Sequence, residues 1–142
     1  MIVYLIIFEK KGGMMRRDVE FQADGVTLCG WLYKPSKGKE PFPTVVMAHG
    51  FSGVKEMALD KYAESFVKKG LAVLVYDNRC LGKSGGKPRQ DIDPVMQMRD
   101  YRSAISFAQG QSECDAERIG IWGTSYTGGT VCAVASLDHR VK

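Results

Sequence analysis

Metal-ligand spacing is missing from this chain. Its four cysteines, at 29, 80, 114 and 132, form no Cys-x-x-Cys pair, and no histidine cluster stands near them, so neither a metal site nor any other cofactor is indicated. Long hydrophobic runs are missing as well. Met1 to Phe8 is apolar but too short to span a bilayer, and it lacks the leading positive charge and small-residue cleavage site of a signal peptide. An excess of one charge sign is also absent. The net charge is only +4, with Lys and Arg scattered among acids, which excludes an evident nucleic-acid surface. No repeat, low-complexity tract or interdomain linker interrupts the chain. What remains is one soluble globular domain of 142 residues, 44% hydrophobic and 25% charged. Reduced cysteines in a cytoplasmic protein are the plain expectation, with Cys29 on a strand and Cys132 on an apolar helix as buried thiols. Met14 and Met15 follow the apolar start, so residues 1–13 read as a dispensable or unstructured extension and residues 14–142 as the domain.

Two periodicities alternate along that domain. Asp18–Phe21 and Val26–Tyr33 flank Asp24-Gly25, a hairpin signal. Residues 34–42 hold Pro35, Gly38 and Pro41 and read as loop. Pro43–Ala48 and Leu71–Tyr76 are continuous apolar runs, as strands buried on both faces require. Between them Leu59, Tyr62, Ala63, Phe66 and Val67 recur at helical spacing until Gly70. A polar, glycine-rich loop covers residues 77–90. Asp93 then caps a helix with Pro94 at its first position, Val95, Met98, Ile105 and Ala108 on its apolar face, and Gly110 at its end. Arg118–Trp122 is a further buried strand, followed by an apolar helix over Thr130–Ala135. This alternation predicts an α/β fold, a mostly parallel sheet with helices on both faces.

The last strand-to-helix junction carries the chemistry. Gly123-Thr124-Ser125-Tyr126-Thr127-Gly128-Gly129 places a serine on a sharp turn, its hydroxyl pushed above the sheet. The neighbouring backbone N–H groups lie at a helix N-terminus, where negative charge is stabilised. The pattern departs from Gly-x-Ser-x-Gly, because Thr127 stands where the second glycine belongs. That glycine normally lets the helix backbone approach the strand, so Thr127 is expected to cost some packing. In an open parallel sheet the crevice forms at the carboxyl ends of the strands. Both Ser125 and the His49-Gly50-Phe51 loop fall there. Acyl transfer needs a nucleophile, a base and donors for the oxyanion. Ser125 is the candidate nucleophile, and the backbone N–H groups of Phe51 and Tyr126 are the candidate oxyanion hole, acting on a small-molecule acyl substrate.

From about Arg17 onward the chain resembles the α/β-hydrolase superfamily. The resemblance rests on Met47-Ala48-His49-Gly50-Phe51, on Tyr76-Asp77-Asn78-Arg79 with Gly82 and Ser84, and on Gly123 to Gly129. Val54-Lys55-Glu56-Met57 and Ile119 to Tyr126 are similar to two branches, the Xaa-Pro dipeptidyl-peptidase-like hydrolases and the polyketide transferase or thioesterase-like proteins. That resemblance implies about eight strands and a triad ordered Ser, acid, His. The sequence reaches Lys142 near where the next strand would begin. The resemblance therefore implies a partial fold whose C-terminal strands, triad acid and His lie beyond residue 142. An uncovered sheet edge would then invite self-association, and an inactive or interaction-only protein is the alternative reading.

Plainer roles stand beside these. Ser125 is also a preferred helix cap residue. His49 on the resembled pattern shapes the oxyanion loop rather than acting as base, and His139 reads as an exposed helix-end residue. Asp77, Arg79 and Ser84 read as a loop tied by its own Asp–Arg hydrogen bonds. Trp31, Tyr33 and Trp122 read as sheet core. Gly82-Lys83-Ser84 resembles a phosphate-binding loop, but Asp77 stands where its first glycine is needed, and Gly85, Gly86 and Pro88 follow where a helix should open.

Overall fold

The computed structural model describes residues 8–142. Its first half is built by hairpins. A short strand β1 (Glu9–Lys11) turns through Gly12 and Gly13, both at positive φ, into β2 (Met14–Ala23). Asp24 and Gly25, at φ 46° and 78°, form the next turn, as a two-residue hairpin requires. Strand β3 (Val26–Pro35) then pairs with β2 along its whole length, from Ala23 opposite Val26 to Met14 opposite Pro35. Residues 9–11 are thus a strand of the sheet and Gly12 and Gly13 its turn. Residues 1–7, the rest of the expected extension, lie outside the described residues.

The second half is built by crossovers. Strands β4 (Phe42–Ala48), β5 (Ala72–Tyr76) and β6 (Cys114–Gly123) complete a six-stranded sheet of order β1-β2-β3-β5-β4-β6. Among the strands, parallel pairing joins β5, β4 and β6, while β3 meets β5 antiparallel. The sheet is therefore mixed, because hairpin turns reverse the chain and only helical crossovers preserve its direction. Helix α1 (Leu59–Val67) covers one face, packing Leu59, Ala63 and Val67 against Met47, Val73 and Val75. Helices α2 (Pro94–Gln109) and α3 (Tyr126–Leu137) cover the other, over Leu28, Leu32, Val46 and Leu74.

Local chemistry sets the helix ends and faces. The Asp93 carboxylate accepts from the Val95 and Met96 amides at 2.9 and 3.0 Å, a side-chain cap. Val95 is 59% exposed, contrary to the apolar face read from sequence. At 3.6 residues per turn it lies about 120° around α2 from Tyr101, whereas Gln97 and Asp100 fall on the buried stripe. Cys132 is exposed, also contrary to expectation, since α3 buries Thr127, Thr130 and Val134 instead. Cys80 and Cys114 are buried and Cys29 is half-buried; all four thiols are free. Among the described residues no helix is long and apolar enough to cross a membrane.

After α3, Asp138 accepts hydrogen bonds from the Arg140 side chain at 2.8 Å and from its amide at 3.2 Å. These hold its carboxyl at about 2, below its ordinary 3.8, against the opposing effect of burial. A carboxyl depressed by folding stabilises the native state fully above its unfolded value and loses that contribution as pH falls through its folded one. Stability should therefore decline between about pH 4 and 2. Asp138→Asn should flatten that decline by roughly 2 kcal/mol at most, read from urea midpoints across the range. Val141 then forms a parallel bridge with Ile119 on the outer side of β6.

Candidate active site

The turn from β6 into α3 is as tight as its glycine suggests. A Cβ on Gly123 would stand 2.4 Å from the Thr127 carbonyl oxygen, so only glycine lets α3 start there. Ser125 is exposed and sits at φ 55°, ψ −125°, a conformation a non-glycine residue holds only where its surroundings enforce it. Its side chain makes no cap hydrogen bond to α3. The helix-cap role thus finds no support in the bonding.

Thr127 makes bonds that a glycine could not. Its hydroxyl accepts from the Thr124 amide at 3.1 Å and faces the carbonyls of Thr124 at 2.9 Å and Ala48 at 3.3 Å. The displaced Gly128 has only ordinary contacts, the nearest at 3.8 Å. The expected packing cost at position 127 is met by this bonding. Thr127→Val keeps the shape and strands the Thr124 amide. It should lower stability by about 1–3 kcal/mol in denaturant unfolding.

The loop after β4 is held against this turn. A Cβ on Gly50 would lie 3.3 Å from the Ser125 Cβ. His49 is buried, its Nε2 accepts from the Asn78 amide at 3.0 Å, and its Nδ1 donates to the Gly50 carbonyl at 2.9 Å. Both ring nitrogens are thereby occupied, and burial pushes the imidazole below its ordinary range. It is a neutral structural residue, as the loop reading expects. Phe51 is 67% exposed, with its ring edge-on to Tyr126 at 5.8 Å. Among the described residues neither the Phe51 nor the Tyr126 amide N–H donates a hydrogen bond.

Tyr101 ties the two halves together. Its hydroxyl accepts from the Ala48 amide at 3.0 Å and donates to the Trp122 carbonyl at 2.9 Å. Ala48 leads into the His49 loop and Trp122 into the serine turn. Nothing local in the sequence marks this role, because a tyrosine on the buried stripe of α2 reads as core.

The loop after β5 departs from expectation. Asp77 does not bond Arg79. Its carboxylate accepts from the Lys55 ammonium at 2.6 Å, the Lys55 amide at 2.7 Å and the Lys83 amide at 2.9 Å. Arg79 instead reaches across to Asp100 on α2. Neighbours in sequence on a turning chain point apart, and each finds its partner on another element. Ser84 is buried, donating to the Asp77 carbonyl at 2.6 Å and accepting from the Cys29 amide at 2.9 Å. Because Lys83's amide is spent on Asp77 and α2 opens only at Pro94, the loop is not arranged to cradle phosphate. His139 is exposed beyond the far end of α3, whose 12 residues put it on the order of 18 Å from Ser125. No group of three or more His, Cys, Asp or Glu converges as metal ligands among the described residues.

Comparison with known proteins places this arrangement. The pattern of the X-Pro dipeptidyl-peptidase (S15 family) matches residues 24–141. Quorum-quenching protein AidA of Acinetobacter baumannii is 42% identical over 124 residues, covering 87% of this chain and 40% of that protein. Thiohydrolase aneE of Aspergillus aculeatus is 44% identical over 126 residues, covering 88% of this chain and 39% of that protein. Further matches are named polyketide transferase and acyltransferase. The alpha/beta hydrolase GrgF of a Penicillium species superposes with a TM-score of 0.82 at 35% identity, over 89% of this chain and 43% of that one. The chain thus spans about 40% of the length of the curated relatives it matches. The chain belongs to the X-Pro dipeptidyl-peptidase (S15) family and carries part of the α/β-hydrolase fold.

Proposed function

We propose that Ser125 is the nucleophile of an acyl-transfer reaction, hydrolysing an ester, thioester or amide or passing its acyl group to another acceptor. The observation that carries this reading is the backbone of Ser125, held at positive φ with its hydroxyl exposed and uncommitted. Strain of that kind persists where it serves a reacting group. The Phe51 and Tyr126 amides take the role of oxyanion donors, being at the turn and uncommitted to internal bonds. The sequence holds two histidines. His49 has both nitrogens occupied and His139 is remote, so the base and its acid partner are assigned to a segment outside these 142 residues. Relatives named thiohydrolase and polyketide transferase favour acyl thioesters among the substrates. The four free thiols favour a reducing, cytoplasmic setting.

An activated ester with imidazole supplied in solution tests this reading. The expected outcome is acylation of Ser125, located by peptide mass, rising at least tenfold with imidazole as a substitute general base and lost in Ser125→Ala. Modification spread over surface residues and unchanged in Ser125→Ala would leave the interaction-only reading, with the outer edge of β6 as its surface.

A further inference from the structure

The loop after β4 and the loop after β5 form a half-open cavity of about 440 Å³, within the range that takes small organic ligands. Phe51, Val54, Leu81 and Ile92 give it an apolar wall, and Arg89 stands on its lining. Phe51 joins this cavity to the site, because its ring lies against Tyr126 and it follows Gly50, which packs on Ser125.

Two observations mark the cavity as built. Three of its lining residues, Ser52, Cys80 and Gln90, hold positive φ of 52°, 66° and 65°. Such strain collects at ligand clamps and reacting sites. Arg89 is fixed from below, donating one Nη to the Ser84 carbonyl and the other to the Gly82 carbonyl. A guanidinium has five N–H donors, so three remain. Among the described residues no carboxylate pairs with it, and neighbouring Asp91 forms no ion pair with it. Residues 82–93 carry Lys83, Lys87 and Arg89 against Asp91 and Asp93, the second of which is spent on capping α2. An oriented guanidinium with no direct carboxylate partner, beside apolar side chains, is complementary to an oxyanion on a hydrophobic chain.

We infer that this cavity binds an amphipathic organic anion, its chain against Phe51, Val54, Leu81 and Ile92 and its carboxylate or phosphate on Arg89. The acyl compounds brought to Ser125 are then acidic ones. This rests on the nucleophile reading above, and the two are separable by experiment.

Titration of ¹⁵N-labelled Ser125→Ala chain with octanoate, octyl phosphate and octanol tests it without requiring turnover. Octanoate should shift the Leu81 and Ile92 amides and bind at least tenfold more tightly than octanol. Arg89→Met should erase that preference, and Arg89→Lys, which keeps the charge, should retain most of it with an unchanged spectrum elsewhere. Tighter binding of octyl phosphate identifies a phosphorylated carrier as the oxyanion source; tighter binding of octanoate identifies a carboxylated chain. Equal binding of octanoate and octanol, shifts confined to other surfaces, or an undiminished preference in Arg89→Met would overturn the inference. In the unsubstituted chain octanoate should also slow ester acylation of Ser125. Binding without that protection overturns the link between cavity and serine. Binding in a chain whose Ser125 is never acylated leaves the cavity and removes the nucleophile.

Discussion

Gly123→Ala is expected to abolish acylation of Ser125 and to destabilise the domain by more than about 4 kcal/mol, at the upper end for single substitutions. The added Cβ meets the Thr127 carbonyl oxygen at 2.4 Å, its carbon at 2.6 Å and the Thr127 hydroxyl at 2.9 Å. Two of these atoms are backbone in the first turn of α3, so no side-chain rotation relieves the clash. The helix must slide away from β6. That movement pulls Thr127 from Thr124 and Ala48 and relaxes the bend that presents Ser125. Urea unfolding gives the stability term, and imidazole-assisted acylation gives the site term. Retention of wild-type acylation would show that the close strand–helix approach is not what presents the hydroxyl.

Asp77→Asn should cost about 3–5 kcal/mol, the scale for breaking a buried ion pair by removing one partner. Lys55 is 1% exposed, and its ammonium sits 2.6 Å from the Asp77 carboxylate, with half-exposed Glu56 at 3.1 Å. Burial alone pushes the Lys55 ammonium down. The hydrogen bond and charge of Asp77 overcome this and hold it above its ordinary value. Without Asp77 the buried ammonium keeps only half-exposed Glu56 as a carboxylate partner against the effect of burial. Lys55→Met should cost less, since Asp77 keeps the Lys55 and Lys83 amides as donors. The double variant should recover part of the Asp77→Asn loss, a coupling that a double-mutant cycle measures. A loss below about 1 kcal/mol in Asp77→Asn would mean that water reaches the pair.

The elements were legible where one physical signal dominated. The strand runs at 43–48 and 71–76 are apolar without alternation because both sheet faces are covered, and the structure places β4 and β5 there. Asp24-Gly25 announced its hairpin because few residues accept positive φ in succession. The short strand at Glu9–Lys11 was not legible, since its residues carry no periodicity and pair only through the sheet beside them. Val95 and Cys132 were misplaced for a common reason: an apolar residue on a helix faces inward only if its angle matches the stripe, whatever its type. At the site, the serine turn was readable from Gly123 and Ser125 lying between a strand-like run and an apolar helix, despite Thr127 in the place of the second glycine. The partners of Asp77 and Arg79 were not, because they come from Lys55 and Asp100, each more than 20 residues away in the chain. Thr127 looked like a defect in the pattern until its hydroxyl's contacts were in view.

The phenol of Tyr101 has one more consequence. One hydroxyl holds both the stem of the His49 loop and the stem of the serine bend, so a shift of α2 acts on both at once. A single side chain thereby sets the spacing of two loop stems that lie more than 70 residues apart in the chain.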